Sequence, residues 1–264
     1  MQLHNKTIVI TGATSGIGEA LALQLANNNN TLILCARRET ELQRVVALCV
    51  SKGSKAVYYC MDLSNVAEVQ TVATQVLHDY PTIDVLIHNG GISQRANAID
   101  TPLAVAQNIM NTNYWGAVVL TQTLLPTMVA SNSAHIVVIS SIAGKFGFYL
   151  RSSYSASKFA LQGYFESLRL ELLPHNIGVT IVCPGKIKTN ISYNAVNESG
   201  QKHNELDPSH ANAMSATDCA ITIIKAVHNN KRDVYIGGKE LLAVYIKQYF
   251  PKLFFHFIKK IKPV

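Results

Sequence analysis

Cysteine is scarce in this chain of 264 residues and shows no pairing pattern. Cys35, Cys49, Cys60, Cys183 and Cys219 are odd in number and form no CxxC spacing. A disulfide framework is therefore not expected, and no Cys/His cluster has the ligand spacing of a zinc site, so no metal is expected. Three of the five lie in apolar runs, which favours buried, reduced thiols and a cytoplasmic setting. Long apolar runs are missing too: none reaches the ~18 residues that a membrane span requires. The opening MQLHNKTIVITG enters a strand-like run within a few residues, without a long apolar core or a cleavage site, so no secretory signal is expected. Repeats, low-complexity linkers and composition breaks are absent as well, and a single domain is expected.

What is present is an ordinary globular mixture, 48% hydrophobic and 15% charged, with a net charge of +7. The charge is unevenly placed, because the segment 239–262 is rich in lysine and carries one acid, Glu240. Such a tail suits anionic lipid, nucleic acid or water, and composition does not choose among them.

Short β-branched runs alternate with longer amphipathic stretches. Strands are expected at 7–10, 31–35, 55–60, 85–87, 135–140, 179–182 and 234–236, most of them nearly continuous apolar runs. Helices are expected at 19–26, 39–51, 65–78, 103–130, 153–173 and 217–228. This order predicts βαβ units and an α/β fold with a doubly wound parallel sheet of Rossmann type. The domain is drawn over 1–240, followed by an amphipathic helical tail at 241–264. A long segment rich in Asn, Ser, Gly and His, 189–215, reads as a lid.

TGATSGIG follows the first strand and opens the first helix, with Gly12, Gly16 and Gly18 spaced G-x-x-x-G-x-G. Glycines permit a tight turn and close backbone approach, and the helix N-terminus offers free N–H groups to a phosphate. By itself such a turn is weak evidence, and a helix-packing turn is the bland alternative. At the end of the second strand Ala36 stands where an NAD site would carry an acid, and Arg37 and Arg38 follow. Two guanidinium groups suit a 2′-phosphate, which favours NADP(H) over NAD(H).

The strand HIVVISS ends with Ser140 and Ser141, at the carboxyl edge where parallel sheets gather ligands. Tyr154 and Lys158, in YSASK, are spaced i and i+4 and share one helix face. A free phenol titrates near ~10, and a neighbouring ammonium lowers that value, making tyrosine a usable acid or base. Such pairs also arise by chance on ordinary helices, so the pair alone is weak.

The set is specific. TGATSGIG, NYWG at 113–116, the serine strand, YSASK and PGKIKT at 184–189 occur in one order. In these motifs the chain resembles the short-chain dehydrogenase/reductase family over roughly residues 1–190, and SSIAGK with YSASKFAL is most similar to hydroxysteroid dehydrogenase-like reductases. The resemblance implies an NADP(H)-dependent oxidoreductase interconverting a secondary alcohol and a ketone or aldehyde. Tyr154 would move the proton, Lys158 would hold the nicotinamide ribose and depress the phenol, and Ser141 would bind the reacting oxygen. Asn113 would interrupt its helix and hold a water linking Lys158 to solvent. Thr11, Gly12, Ser15, Gly16, Ile17 and Gly18 would line the pyrophosphate, Arg37 and Arg38 the 2′-phosphate, and Asp62 the adenine. Asn89 and Gly91 would keep the turn after the fourth strand, while Pro184, Gly185, Ile187 and Thr189 would face the nicotinamide. The family's Asn-Asn-Ala-Gly reads His88, Asn89, Gly90 and Gly91 here. His88 then reads as a satisfied structural histidine.

The apolar tail and the lid favour a hydrophobic substrate. If 252–262 is helical, Leu253, Phe254, Phe257, Ile258 and Ile261 form one stripe, opposite Lys252, His256, Lys259 and Lys260. That pattern fits peripheral membrane contact or packing on the domain or a partner subunit about equally, and Pro251 separates it from a preceding helix. A homo-oligomer, dimer or tetramer, is expected from the family; nucleic-acid binding is not. The competing readings are a non-catalytic NADP(H)-binding regulator and a sugar-nucleotide epimerase.

Overall fold

The computed structural model describes residues 1–205 and 213–259. Its elements follow the alternation expected from the sequence. They begin β1 (Thr7–Thr11), α1 (Gly16–Leu25), β2 (Thr31–Ala36), α2 (Glu39–Ser51), β3 (Lys55–Cys60), α3 (Val66–Asp79) and β4 (Val85–His88). Next come α4 (Leu103–Met110), a π turn (Asn111–Trp115), α5 (Gly116–Ser131), β5 (Ala134–Ile139), a 3-10 turn (Ile142–Gly144) and α6 (Ser152–Glu171). The rest is β6 (Ile177–Pro184), β7 (Ile187–Lys188), β8 (Met214–Ser215), α7 (Ala216–His228), β9 (Asp233–Ile236), α8 (Leu242–Tyr249) and α9 (Pro251–Ile258).

The main sheet runs β3-β2-β1-β4-β5-β6-β9. Every pairing in it is parallel, as in Ile8 with Leu32 and Val85. Strands such as TIVIT and AHIVVI are mostly apolar and almost wholly buried because both faces are covered. On one face Leu21, Leu25, Leu42, Ile223 and Val227, from α1, α2 and α7, pack against Ile8, Ile10 and Leu34. On the other, Val69, Leu124, Phe165 and Leu168, from α3, α5 and α6, pack against Val9, Leu86 and Val138. The strand order reverses between β1 and β4, which opens a crevice at their carboxyl ends.

The expected helix 103–130 is divided by the π turn, which carries Asn113. One wider turn re-aims the side chains that follow, and such turns recur at functional sites. The expected lid at 189–215 follows β7, which pairs with β8 at the lid's far end, and within it Val196 bridges to Gln94 and Lys202. Residues 206–212 of that segment lie outside the described residues.

The tail forms α8 and α9, with Pro251 as the first residue of α9, where its missing N–H costs nothing. The expected stripe divides. Phe254 is buried and Ile258 half-buried against the domain, while Leu253 and Phe257 face outward. Lys260, Ile261 and Lys262 lie outside the described residues. No helix among the described residues is long and apolar enough to cross a membrane.

Candidate functional site

The crevice is built first from backbone. Gly12 has φ +64° and Gly16 φ +58°, a left-handed conformation that costs glycine little. A methyl at Gly12 would fall 2.7 Å from the Cα of Gly90, and one at Gly18 would run into the carbonyl oxygen of Gly12. A methyl at Gly16 would lie 3.0 Å from Cγ2 of Thr189, so the glycine turn and the segment after β7 face each other. Ser15 is exposed beside the first turn of α1, whose N–H groups lack helical partners, and Ile17 is half-buried there. This cradle fits a dinucleotide phosphate, because it combines close backbone approach with free donors.

Thr11 lies beneath the cradle and not along it. It is 1% exposed, and its hydroxyl oxygen accepts the N–H groups of Asn89 and Gly90, each at 3.0 Å. The Asn89 amide in turn donates to the carbonyls of Thr11 and Gly12, both at 3.1 Å. These bonds lock the ends of β1 and β4 together. Gly90 leaves room that Leu63 fills, since a methyl there would meet its Cδ1.

Arg38 Nη2 donates to Thr14 Oγ1 at 3.1 Å, so its guanidinium sits against the glycine turn. Arg37 is exposed and reaches to 3.9 Å from Asp62 Oδ2. Asp62 is partly occupied, because its Oδ1 accepts from the backbone and hydroxyl of Ser64 at 2.9 and 2.8 Å.

The four residues of the candidate catalytic set converge on the same edge. Tyr154, Ser157 and Lys158 are all buried on α6. Ser141 lies near enough to the Tyr154 phenol for its hydroxyl to favour the phenolate, while its Oγ accepts the Ala143 N–H at 3.1 Å and donates to the Pro184 carbonyl at 3.5 Å. Lys158 Nζ donates to the Ile139 carbonyl at 2.9 Å and stands 5.9 Å from the centre of the Tyr154 ring. Asn113 Nδ2 donates to Ser157 Oγ at 2.9 Å, and Ser157 donates to the Tyr154 carbonyl at 2.7 Å. Asn113 also clasps Ile92, accepting its N–H at 2.8 Å and donating to its carbonyl at 2.9 Å. Gly91 completes the group, as a methyl there would lie 3.0 Å from Asn113 Oδ1 and 3.6 Å from Lys158 Nζ. Ser140 turns away from this group, toward the Lys158 carbonyl and Gln162, as alternation along a strand requires.

The electrostatics differ from the expected pairing. Burial pushes the Tyr154 phenol above its ordinary value, against the opposing pull of Arg151, the Ser141 hydroxyl and Arg95. The same burial lowers the Lys158 ammonium to about 8, with Cys183 opposing. The lysine is thus engaged with a backbone carbonyl, and burial favours the protonated phenol.

His88 corrects a second expectation. Its Nε2 meets Thr121 Oγ1 at 2.7 Å, and the threonine donates onward to the Ala117 carbonyl, so the imidazole donates through Nε2. Its Nδ1 is buried with no hydrogen-bond partner. The histidine is structural but only half satisfied, and burial lowers it to about 3.

Two residues escaped the sequence reading. Gln94 is 0% exposed, and its side-chain oxygen accepts the N–H groups of Ser153 and Tyr154 at 2.9 and 3.2 Å. It caps the helix that carries Tyr154, because no side chain at that helix's own start does so. Glu240 accepts the N–H groups of Lys186 and Gly238 at 2.8 and 3.0 Å. It thereby supports the turn after Pro184, whose Gly185 is closely overlain by its carboxylate, while Ile187 beyond is buried. Burial would raise the Glu240 carboxyl, but the backbone donors Lys186, Gly238 and Glu240 outweigh it and lower it. The only available signal for Glu240 was its place as the single acid of a basic segment.

Among the described residues no cluster of His, Cys, Asp and Glu could hold a metal ion.

The chain is similar to known proteins in sequence and in fold. The chain is 39% identical over 263 residues to dehydrogenase/reductase SDR family member 7B of Xenopus tropicalis, covering 97% of this chain and 85% of that one. The fold matches that of a short-chain dehydrogenase/reductase from Burkholderia phymatum in complex with NAD, with a TM-score of 0.85, 24% identity and 96% of each chain covered. It also matches a metagenomic short-chain oxidoreductase in complex with NADP, with a TM-score of 0.74, 26% identity, and 88% and 97% covered. The family model for short chain dehydrogenase matches residues 6–200. On this ground the chain belongs to the short-chain dehydrogenase/reductase family of enzymes.

Proposed function

We propose that the protein is an NADP(H)-dependent oxidoreductase that interconverts a secondary alcohol and a ketone or aldehyde. The observation that carries this reading is the buried convergence of Tyr154 and Lys158 on one helix face, 5.9 Å from ring centre to Nζ, with Asn113 tied to the same helix turn through Ser157. The nicotinamide, when bound, supplies or accepts the hydride. In the reducing direction Ser141 donates a hydrogen bond to the carbonyl oxygen, and Tyr154 delivers its hydroxyl proton to that oxygen as the carbon takes two electrons. Lys158 holds the ribose edge of the site and recharges the phenol's surroundings once its bond to Ile139 is exchanged. Asn113, through Ser157, keeps that helix turn in place and lies on the path by which the proton is replaced.

The preference for NADP(H) rests on Arg38, held against the glycine turn by Thr14, on Arg37 beside it, and on the absence of an acid at Ala36. Gly12, Ser15, Gly16, Ile17 and Gly18 would hold the pyrophosphate over the support of Thr11. Asp62 would meet the adenine, with Asn89, Gly91, Pro184, Gly185, Ile187 and Thr189 toward the nicotinamide. A hydrophobic substrate is favoured by the apolar cluster of Ile142, Phe146 and Phe254, which begins one residue beyond Ser141.

The reading includes a cytoplasmic setting, supported by four buried cysteines and an exposed Cys60, all of them free. It includes a homodimer or homotetramer, supported by exposed Leu103, Trp115 and Phe159 around the groove between α4 and α6. It also includes membrane contact through the tail at 241–264. The test is spectrophotometric oxidation of NADPH and NADH across a carbonyl panel that includes apolar ketones. Turnover with NADPH preferred supports the reading. A clear preference for NADH refutes the role of Arg37 and Arg38, and tight NADPH binding without turnover on any carbonyl refutes the enzyme assignment.

A further inference from the structure

Seven large apolar side chains between residues 242 and 257 are exposed, far more densely than elsewhere on the surface: Leu242, Tyr245, Tyr249, Phe250, Leu253, Phe255 and Phe257. They are not left over from a loosely attached tail. Val244 and Phe254 are buried, and Phe254 packs edge-on against Phe146 with ring centres 5.0 Å apart. Ile246 and Ile258 lean on the same cluster. The underside of α8 and α9 is thus fastened to the domain, and what faces outward is a fixed surface.

That surface has order. Leu242, Tyr245 and Tyr249 follow i, i+3, i+7 along α8, and Phe250, Leu253 and Phe257 repeat the same spacing into α9. Lys247, Lys252 and Lys259 accompany them, and residues 241–259 contain no acid. Lys247 Nζ sits 5.7 Å from the centre of the Phe255 ring and links the two helices. Exposed aromatic stripes of this density mark a contact surface. A second copy of the same face would set lysine against lysine, whereas anionic phosphates complement it. Each helix has eight residues, too few to span a bilayer but suited to lie in its interface.

We propose that α8 and α9 form a rigid docking face for an anionic phospholipid bilayer, with Phe250, Leu253 and Phe257 entering the headgroup–acyl boundary and Lys252 and Lys259 meeting the phosphates. This rests on the reading of the tail as a membrane contact and adds the residues, the charge requirement and the orientation. Because Phe254 and Val244 clamp the underside to Ile142 and Phe146, directly after Ser141, docking holds this edge of the substrate crevice against the lipid. A hydrophobic carbonyl compound would then enter from the bilayer.

The full chain is sedimented with phosphatidylcholine vesicles, with and without phosphatidylserine, beside two variants. One carries Phe250→Ser, Leu253→Ser and Phe257→Ser; the other carries Lys252→Glu and Lys259→Glu. The wild type should bind the serine-containing vesicles, more weakly as salt rises. Each variant should lose about ten-fold or more in partitioning, while circular dichroism and turnover of a small soluble carbonyl stay unchanged. The proposal is overturned by a wild type that ignores vesicles or binds both compositions equally, by variants that bind as the wild type does, or by a wild-type dimer that the serine variant dissociates. A chain that docks as expected but reduces no carbonyl leaves this proposal standing and sinks the oxidoreductase reading instead.

Discussion

Gln94 holds the backbone of Tyr154 from 60 residues away, its side-chain oxygen 3.2 Å from the Tyr154 nitrogen. The neighbouring backbone of Arg95 and Ser93 is bonded to Val196 at 2.8 and 2.9 Å, so one short segment touches both the helix that carries Tyr154 and the segment after β7. Gln94→Leu leaves the buried N–H of Tyr154 and the partly buried N–H of Ser153 without an acceptor and should cost about 1–2 kcal/mol of stability. It should also lower kcat by about ten-fold or more, through a displaced phenol, while the NADPH dissociation constant holds. Thermal melts, fluorescence titration and steady-state kinetics together check this. An unchanged kcat would remove Gln94 from the site.

Lys158 should set the alkaline limit of the proposed carbonyl reduction. Its ammonium, lowered by burial to about 8, is charged below that pH and loses its proton above it. The Tyr154 phenol, shifted upward by burial, remains protonated over the same range. For the free enzyme, kcat/KM with NADPH should be flat near neutrality and fall as pH rises through about 8. A profile that keeps rising through that pH would assign the limb to another group.

Arg38 should discriminate between the two cofactors. Arg38→Ala removes a guanidinium placed 3.1 Å from the Thr14 hydroxyl at the edge of the glycine turn. The loss of a charge-assisted contact should weaken NADPH by about ten- to a hundred-fold and leave NADH nearly unaffected. Parallel KM measurements with both cofactors decide it, and an equal loss for both would show a purely structural role.

His88 should make the fold sensitive to acid. Its ordinary value of 6.5 is lowered to about 3 by burial, so between these values the unfolded chain binds a proton that the folded chain excludes. Stability therefore falls as pH drops from about 6.5 toward 3. His135, lowered to about 4 chiefly by burial and also by the N-terminus, acts in the same direction. His88→Asn removes one of the two contributions, and its melting temperature should decline less steeply with acidification than that of the wild type. Parallel slopes would contradict the assignment.

Period and order of elements made much of the fold legible in advance. Continuous apolar runs flanked by amphipathic stretches leave few arrangements besides a parallel sheet covered on both faces, and 55–60 and 39–51 matched β3 and α2 to the residue. The sites whose function depends on backbone were legible in part. Gly12 and Gly16 could be read from the need for φ above zero, and Tyr154 and Lys158 from helical spacing. Long-range support was not legible: nothing local marks Gln94 as a cap for a helix 60 residues on, or Glu240 as the brace of Gly185 and Lys186. Spacing also could not show that Lys158 would bond to Ile139, or that burial would dominate the phenol. Desolvation belongs to the packed state. The tail shows the same limit, since a single apolar stripe was expected, whereas Phe254 packs inward on Phe146 and Phe257 stays exposed.

Tyr154 is the group proposed to move the proton. Tyr154→Phe keeps the ring and its packing and removes only the hydroxyl. NADPH-dependent carbonyl reduction, measured beside NADPH binding in the same preparation, tests it directly. Loss of turnover to background with NADPH binding nearly intact is the predicted result. Turnover surviving at close to the wild-type rate would contradict the account.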